Sequence, residues 1–530
     1  MPSGSLYPSE PPESDGGRDA PRVVRHVIAV AGGRGGVGKS IVAVNLGVYL
    51  AQLGRTVVLV DANPAGADLH TMLGEPMPHL GSDEDAPEEE ELTPLKTQVP
   101  GLLLLPQAYT RNSTVPLRPG RKARWAFRLR QLDVDYVILD LGAGTAPATL
   151  DLFLTADLGL TVTAPEPPSV EATYRFARAL FQRKLRRVLV KDRFKVRMVE
   201  RAQAPLPPLP SPLELVRAIA RYDTSVAELA AAELAKLRPR LIVNSARLRA
   251  DNDLGTAMCD MSRRYLGVEF DYVGHIEHED SVWLSVTRRR PLLIDSPTSK
   301  SARNIERIAR RILALATTRE QTKVATPVSL VPAEPNLYEV LWTHRGATDE
   351  ELRRAYKHQR EIYQHDSLPL TSMLTEDELV RERARVDEAY DTLLDPIRRR
   401  AYDKSTFPED ESEERPPRPE VDAALAAERA MLRAELAREI HPETEFSGAL
   451  IRKVRQSLGI EIEEIANRTK ISASHLRAIE DEDFRALPAA VYTRGFIQEV
   501  AKYLKVDPAQ VSRTYLKRQR GWRQAKGVDP

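Results

Sequence analysis

A single cysteine, Cys259, stands in 530 residues, so no internal disulfide can staple this chain and its stability must come from apolar burial. No run of about 18 apolar residues is present, which excludes a membrane-spanning helix. Aromatic residues make up only 6%, and an excess of either charge is missing, because 77 Lys and Arg face 76 Asp and Glu. So even a balance excludes a chain that coats nucleic acid along its whole length, while leaving room for a local basic face. The opening stretch MPSGSLYPSEPPESDGGRDA lacks the apolar core of a secretory signal. These absences together set the expectation of a cytoplasmic protein.

What is present is modular, since 530 residues exceed what one core usually organises. Residues 1–21 read as a disordered arm. From there to residue 320 the runs RHVIAVAG, RTVVLVDA, GLLLLP, DYVILDLG, LGLTVTAP, RLIVNSAR and FDYVGHI alternate with amphipathic stretches, the rhythm of an α/β domain with a mostly parallel sheet. The acidic run at 82–92 and the Pro-rich spacer APLPPLPSP at 204–212 read as solvated loops. The α/β pattern closes on the helix at 304–316, and a linker covers 321–335. Two small all-α domains follow, at 336–404 and 446–518. Between them lie a charged Pro-rich linker at 405–420 and a linker helix at 421–445, in which Leu425, Leu432 and Leu436 have coiled-coil spacing. Residues 519–530 form a basic tail.

The chemistry concentrates in AGGRGGVGKS, which satisfies G-x-x-x-x-G-K-[ST] between a strand and an amphipathic helix. A loop of this kind turns its backbone N–H groups inward around phosphate oxygens, and glycines at Gly33, Gly35, Gly36 and Gly38 allow it without Cβ clashes. Val37 completes the cradle, Lys39 is placed to reach the β and γ phosphates, and Ser40 to hold Mg²⁺. Asp140 ends the strand DYVILD and is the candidate metal-side carboxylate. ATP and Mg²⁺ are therefore the expected ligands.

The ordered motifs RGGVGKS, VVLVDANPAGADLHTMLG, DYVILDLGAG and TAPEPPSVEATYRFARAL resemble the MinD/ParA-type deviant Walker ATPases, nearest to the flagellar-number (FlhG) branch, over about residues 25–316. The resemblance implies an ATP-dependent homodimer in which a signature lysine crosses to the partner's phosphates. That position holds Arg34 here, which keeps the charge and adds a planar fork; trans contact and a lost dimer geometry both remain open. The family's D-x-D, with Asp61 on the metal side, reads Asp61 then Asn63, so the residue thought to orient the attacking water is an amide that holds water without accepting its proton. Slow turnover with retained binding is the expectation. Asn244 matches a position that contacts adenine in relatives, or else serves as a turn or cap asparagine. The stretch ARRILALATTREQ, where MinD-like proteins place a membrane helix, has a short apolar face expected to pack on the sheet, so a membrane partner is not expected.

Residues 336–403, ending in DPIRRRAYD, resemble a J-domain, with Leu341, Leu352, Tyr356, Tyr363, Val386, Tyr390 and Leu393 spaced as the core of a helix pair. The family's His-Pro-Asp reads Gln364, His365, Asp366, which favours a protein-docking module over a working co-chaperone; Arg353, Arg354 and Lys357 keep the basic helix. The last block, with IEEIANRTK, a turn at Ile471 and SASHLRAIEDE, has a helix-turn-helix layout that resembles the RodZ type, implying a cytoskeletal or polar protein partner. Ser472, Ser474, His475 and Arg477 are the candidate base-reading donors of the alternative, DNA binding, aided by Lys517, Arg518, Arg520, Arg523 and Lys526. Glu480, Asp481, Glu482 and Asp483 are expected to repel phosphates. The reading is an ATPase switch that positions or regulates a partner; a non-hydrolysing ATP-binding scaffold and a nucleotide-gated DNA-binding regulator are the alternatives.

Overall fold

A computed structural model describes residues 26–63, 68–76, 92–106, 125–317, 335–407, 436, 439–441, 443–460, 462–488 and 490–526. The arm, almost all of the acidic run, the linker at 318–334 and most of 408–442 lie outside the described residues, so the expectations placed on them are not addressed.

The seven apolar runs are strands of one sheet: β1 (His26–Ala31), β2 (Val57–Ala62), β4 (Leu102–Leu105), β5 (Tyr136–Leu141), β6 (Leu158–Thr163), β7 (Arg240–Ala246) and β8 (Asp271–Glu277). A two-residue edge strand, β3 (Leu95–Lys96), pairs antiparallel with β4; every other pair is parallel, in the order β3-β4-β2-β5-β1-β6-β7-β8. Central strands flanked by helices are apolar on both faces, and β1, β2 and β5 are accordingly buried almost throughout.

One face of the sheet carries α1 (Lys39–Gln52) and α6 (Lys300–Thr317), and the other carries α3 (Pro147–Thr155), α4 (Pro167–Leu189) and α5 (Arg249–Met261); a short helix, α2 (Leu69–Met72), follows β2. Ile305, Ile308, Ala309, Ile312 and Leu313 of α6 are buried in the core, so the apolar face of ARRILALA packs on the sheet. No described helix is long and apolar enough to cross a membrane. The Pro-rich spacer departs from expectation. Leu206 and Leu209 pack against the core, Pro210–Pro212 are buried, and Ser211 opens the helix Pro212–Ala220 with a capping box to Glu214. Leucines set among the prolines anchor what composition alone reads as a solvated loop.

Beyond residue 335 every described element is helical. Helices α7 (Asp349–Ile362) and α8 (Glu376–Leu394) each begin with a capping box, Thr348/Glu351 and Thr375/Glu378. They bury Leu352, Tyr363, Val386 and Leu393, while Tyr356 and Tyr390 stack with ring centroids 3.9 Å apart. Helix α9 (Pro396–Thr406) is capped by Asp395. This block shares a core with the α/β domain: Ala257 and Met261 of α5 join its cluster, Tyr265 Oη lies 2.9 Å from Tyr363 Oη, Arg264 pairs with Glu382 at 2.5 Å, and the buried Tyr174 of α4 donates to the Pro369 carbonyl at 2.7 Å.

The last block comprises α10 (Gly448–Leu458), α11 (Ile462–Thr469), α12 (Ala473–Glu480), α13 (Ala490–Tyr503) and α14 (Pro508–Lys526), around Phe446, Ile465, Leu476, Ile479, Ile497 and Tyr515. It touches α6 through Arg303–Asp481 at 2.8 Å and Arg310–Gln456 at 3.4 Å.

Candidate nucleotide-binding site

Parallel strands open their carboxyl ends on one side of the sheet, where α/β folds bind ligands. The loop 32–38 leaves β1 there, with Asp61 at the end of β2 and Asp140 at the end of β5, paired in register. Gly38 has φ +90°, and a Cβ on it would stand 2.1 Å from Asn244 Nδ2; one on Gly33 would meet the Ala172 carbonyl at 1.9 Å. Only glycine fits at either position. Gly36, also at positive φ, and Gly35 face open space, while Val37 is buried.

Lys39 is buried and donates to the Arg34 carbonyl at 3.2 Å, closing the loop over itself. Burial holds its ammonium below the usual lysine range, against the pull of Asp140 and Asp68. Asp61 and Asp140 are each 1% exposed. Burial pushes both up to about 7; the hydrogen bond from Ser40 works against this at Asp140, as does the Leu69 N–H at Asp61. Asp61 accepts from Leu69 N at 3.2 Å and from Asn63 N at 3.4 Å, whereas Asp140 Oδ1 is buried without a partner. A hydroxyl and carboxylate oxygens gathered here, one of them unsatisfied, are the hard oxygen donors that Mg²⁺ takes.

Their direction of titration sets a stability signature. A carboxylate whose folded value lies above its unfolded value of about 3.9 costs nothing while protonated, and destabilises the fold increasingly as pH rises toward the folded value. Asp140→Asn should therefore raise the melting temperature of ligand-free protein more at pH 8 than at pH 5. A gain independent of pH would contradict the assignment.

The other sequence candidates are placed less simply. Arg34 is exposed and pairs with Glu166 at 3.1 Å in its own chain. Asn244 lies within β7, and its amide donates to the Val37 carbonyl at 2.9 Å, so it braces the phosphate loop from below. Asn63 is near Asp61 through its backbone. Sequence reasoning passed over Asp68, whose charge bears on Lys39, Asp61 and Asp140 together. Its signal was one more carboxylate in DANPAGAD, five residues past the expected place.

In the C-terminal block the acidic end of α12 is not the repelling patch expected. Glu480 is buried against Arg455, Asp481 pairs with Arg303 and Arg452, and Glu482 accepts from Arg518 at 2.9 Å. Three of those four acids are neutralised within the fold. Ser472 caps α12 and reaches Ser474 and His475, and Arg477 is held by Glu463 at 2.6 Å. Lys517 and Arg518 are tied to Glu445 and Glu482.

Residues 23–189 match the ParA family described as NUBPL iron-transfer P-loop NTPase, and residues 450–511 match a helix-turn-helix domain family. The antiactivator FleN of Pseudomonas aeruginosa is 26% identical over 289 residues, 54% of this chain and 85% of that protein. The septum site-determining protein MinD of Synechocystis is 30% identical over 183 residues, 33% of this chain and 68% of that protein. Of the iron–sulfur cluster carrier proteins it also matches, the chain spans less than half the length. Among solved structures, MinD of Pyrococcus horikoshii complexed with Mg-ADP is 19% identical, covering 56% of this chain and 99% of its own, with a TM-score of 0.36. On the identity and coverage shared with MinD, the chain belongs to the MinD/ParA family of P-loop NTPases and carries a C-terminal helix-turn-helix domain.

Proposed function

We propose that this protein is an ATP-binding, slowly hydrolysing switch whose nucleotide state controls dimerisation and, through that, the presentation of its helical modules to a partner that it positions or regulates. The observation that carries this reading is the convergence of Lys39, Ser40, Asp61 and Asp140 around the loop after β1, with Asp140 Oδ1 buried and unsatisfied. The loop N–H groups and Lys39 bind the phosphates, and Ser40, Asp61 and Asp140 hold Mg²⁺, which when bound neutralises charge on the phosphate oxygens. Asn244 keeps the loop in its binding shape.

Arg34 is the residue through which a second copy would be sensed. Its pair with Glu166 is solvent-exposed and worth roughly 0–1 kcal/mol, so a partner's triphosphate can take the guanidinium at little cost. Arg34→Ala is expected to bind ATP within about threefold of wild type while losing ATP-dependent dimerisation, since one trans contact of a bidentate kind is removed from each half of the interface. Light scattering with and without ATP measures this; a variant that still dimerises on ATP would remove Arg34 from the switch.

The J-like block serves as a docking module fixed to the ATPase. The Tyr174 bond to the Pro369 carbonyl fixes it there, just past the exposed loop Gln364, His365, Asp366, and the two departures of that loop from His-Pro-Asp favour docking over chaperone stimulation. The helix-turn-helix is read as a protein-binding module of RodZ type. One observation favours DNA as a second reading: a cleft of about 1020 Å³ between this block and the ATPase is lined by Arg247, Lys300, Arg307, Arg311 and Arg477, against the two carboxylates of Glu277 and Glu463 that pair with Lys300 and Arg477.

A further inference from the structure

The segment joining β2 to α2 carries Asn63 at its start and Asp68 at its end. Asp68 holds the N-cap position of α2, where an aspartate ordinarily accepts from the backbone N–H groups of the first turn. Such caps are present elsewhere among the described residues: Asp192 accepts from Phe194 and Lys195, Asp223 from Val226, and Asp395 from Ile397 and Arg398. Asp68 makes no such bond with its helix. The Leu69 N–H beside it goes to Asp61 instead.

Asp68 Oδ1 is shielded from solvent and has no hydrogen-bond partner, a state it shares with Asp140 Oδ1 of the same site. A buried carboxylate oxygen left unsatisfied costs free energy, and here it stands among two further carboxylates that its own charge disfavours. Lys39 is the cation whose charge favours its ionised form, whereas burial holds the neighbouring His70 below the usual imidazole range. A helix cap could have used this carboxylate at no such cost. An acid that forgoes its cap, and whose charge acts on the phosphate-binding lysine and both metal-side aspartates, is placed for a ligand.

We propose that Asp68 supplies, from the far end of the β2–α2 segment, the site carboxylate that position 63 lacks, and that it orients the water that attacks the terminal phosphate. This rests on the ATP-hydrolysing reading above. In that reaction the water oxygen forms the new bond to the γ-phosphorus, and the bond from that phosphorus to the bridging oxygen breaks, its electron pair leaving on ADP. The water's proton passes to the released phosphate. Asp68 accepts a hydrogen bond from the water and keeps it in line, which an amide at position 63 does less well because it carries no negative charge.

Three full-length proteins test this: wild type, Asp68→Asn, and the exchange variant carrying both Asn63→Asp and Asp68→Asn. Single-turnover phosphate release should fall at least about tenfold in Asp68→Asn, with ATP affinity by calorimetry kept within about threefold. The exchange variant should recover to within about threefold of wild type, a recovery that a merely structural role for Asp68 does not produce. An unchanged rate in Asp68→Asn, or an exchange variant as slow as the single one, overturns the proposal. Should wild type bind ATP yet release no phosphate, the hydrolytic reading fails on its own, and Asp68 is then judged by ATP affinity with Mg²⁺ against EDTA. A smaller Mg²⁺ dependence in Asp68→Asn keeps the residue in the site, and an unchanged dependence removes it.

Discussion

Lys39→Ala is expected to weaken ATP binding by more than about a hundredfold, the loss of close to 3 kcal/mol that a charge-assisted contact to phosphate supplies in a partly desolvated site. The reason goes beyond the missing contact. Lys39 is the cation that stands against Asp140 and Asp68, whose charges act on it. Without it, an incoming triphosphate meets carboxylates across a buried site with no compensating charge beside them. The fold should survive, because the helix that begins at Lys39 is anchored by the buried Val42, Val44, Leu46, Val48 and Leu50 rather than by the lysine. Calorimetry with ATP, beside an unchanged far-ultraviolet circular dichroism spectrum, checks both halves. Retained micromolar binding would remove the phosphate loop from the account.

Glu480→Ala is expected to cost the helix-turn-helix block about 3–5 kcal/mol, the penalty for leaving one member of a buried ion pair alone. The Arg455 and Glu480 side chains are only 8% and 6% exposed, and they meet in a fork, Nε to Oε1 at 2.6 Å and the second nitrogen to Oε2 at 3.0 Å. Arg455 also donates to the Ile460 carbonyl at 2.7 Å, which ties α10, the turn before α11 and the end of α12 into one unit. A chain with several domains does not unfold in two states, so the readout is hydrogen exchange across α10–α14 in the full-length protein. The pair Arg455→Met with Glu480→Leu should regain most of the loss, because well-packed apolar groups replace a desolvated pair at little net cost. Failure of Glu480→Ala to speed exchange would show that the pair is not buried.

The sheet was legible in the sequence for a physical reason. Strands covered on both faces read as uninterrupted apolar runs, and all seven appear, whereas β3 has two exposed residues and carries no such signal. The phosphate loop was legible because its glycines, lysine and serine keep a fixed spacing between a strand and a helix, and Gly36 and Gly38 take the positive φ that such a turn needs. What could not be read depends on residues distant in the chain. Tyr174 and Pro369 are 195 positions apart, and Arg264 and Glu382 are 118 apart, so the packing of the helical block at 335–407 on the α/β domain left no periodic trace. The acidic run at 480–483 looked like a charged surface because its partners Arg303, Arg452, Arg455 and Arg518 come from other helices. Asp68 was missed for a related reason: a motif directs attention to position 63, while the three-dimensional site recruits the other end of the same segment.

In the proposed switch, nucleotide controls assembly. This control is tested most directly on one purified sample by following molar mass and phosphate together after ATP and Mg²⁺ are added. Mass should double on ATP, phosphate should be released slowly, and the single-chain mass should return as ATP is consumed, none of it with Lys39→Ala. ATP bound at constant mass would contradict this control, and would leave a nucleotide-stabilised scaffold whose activity resides in its helical modules.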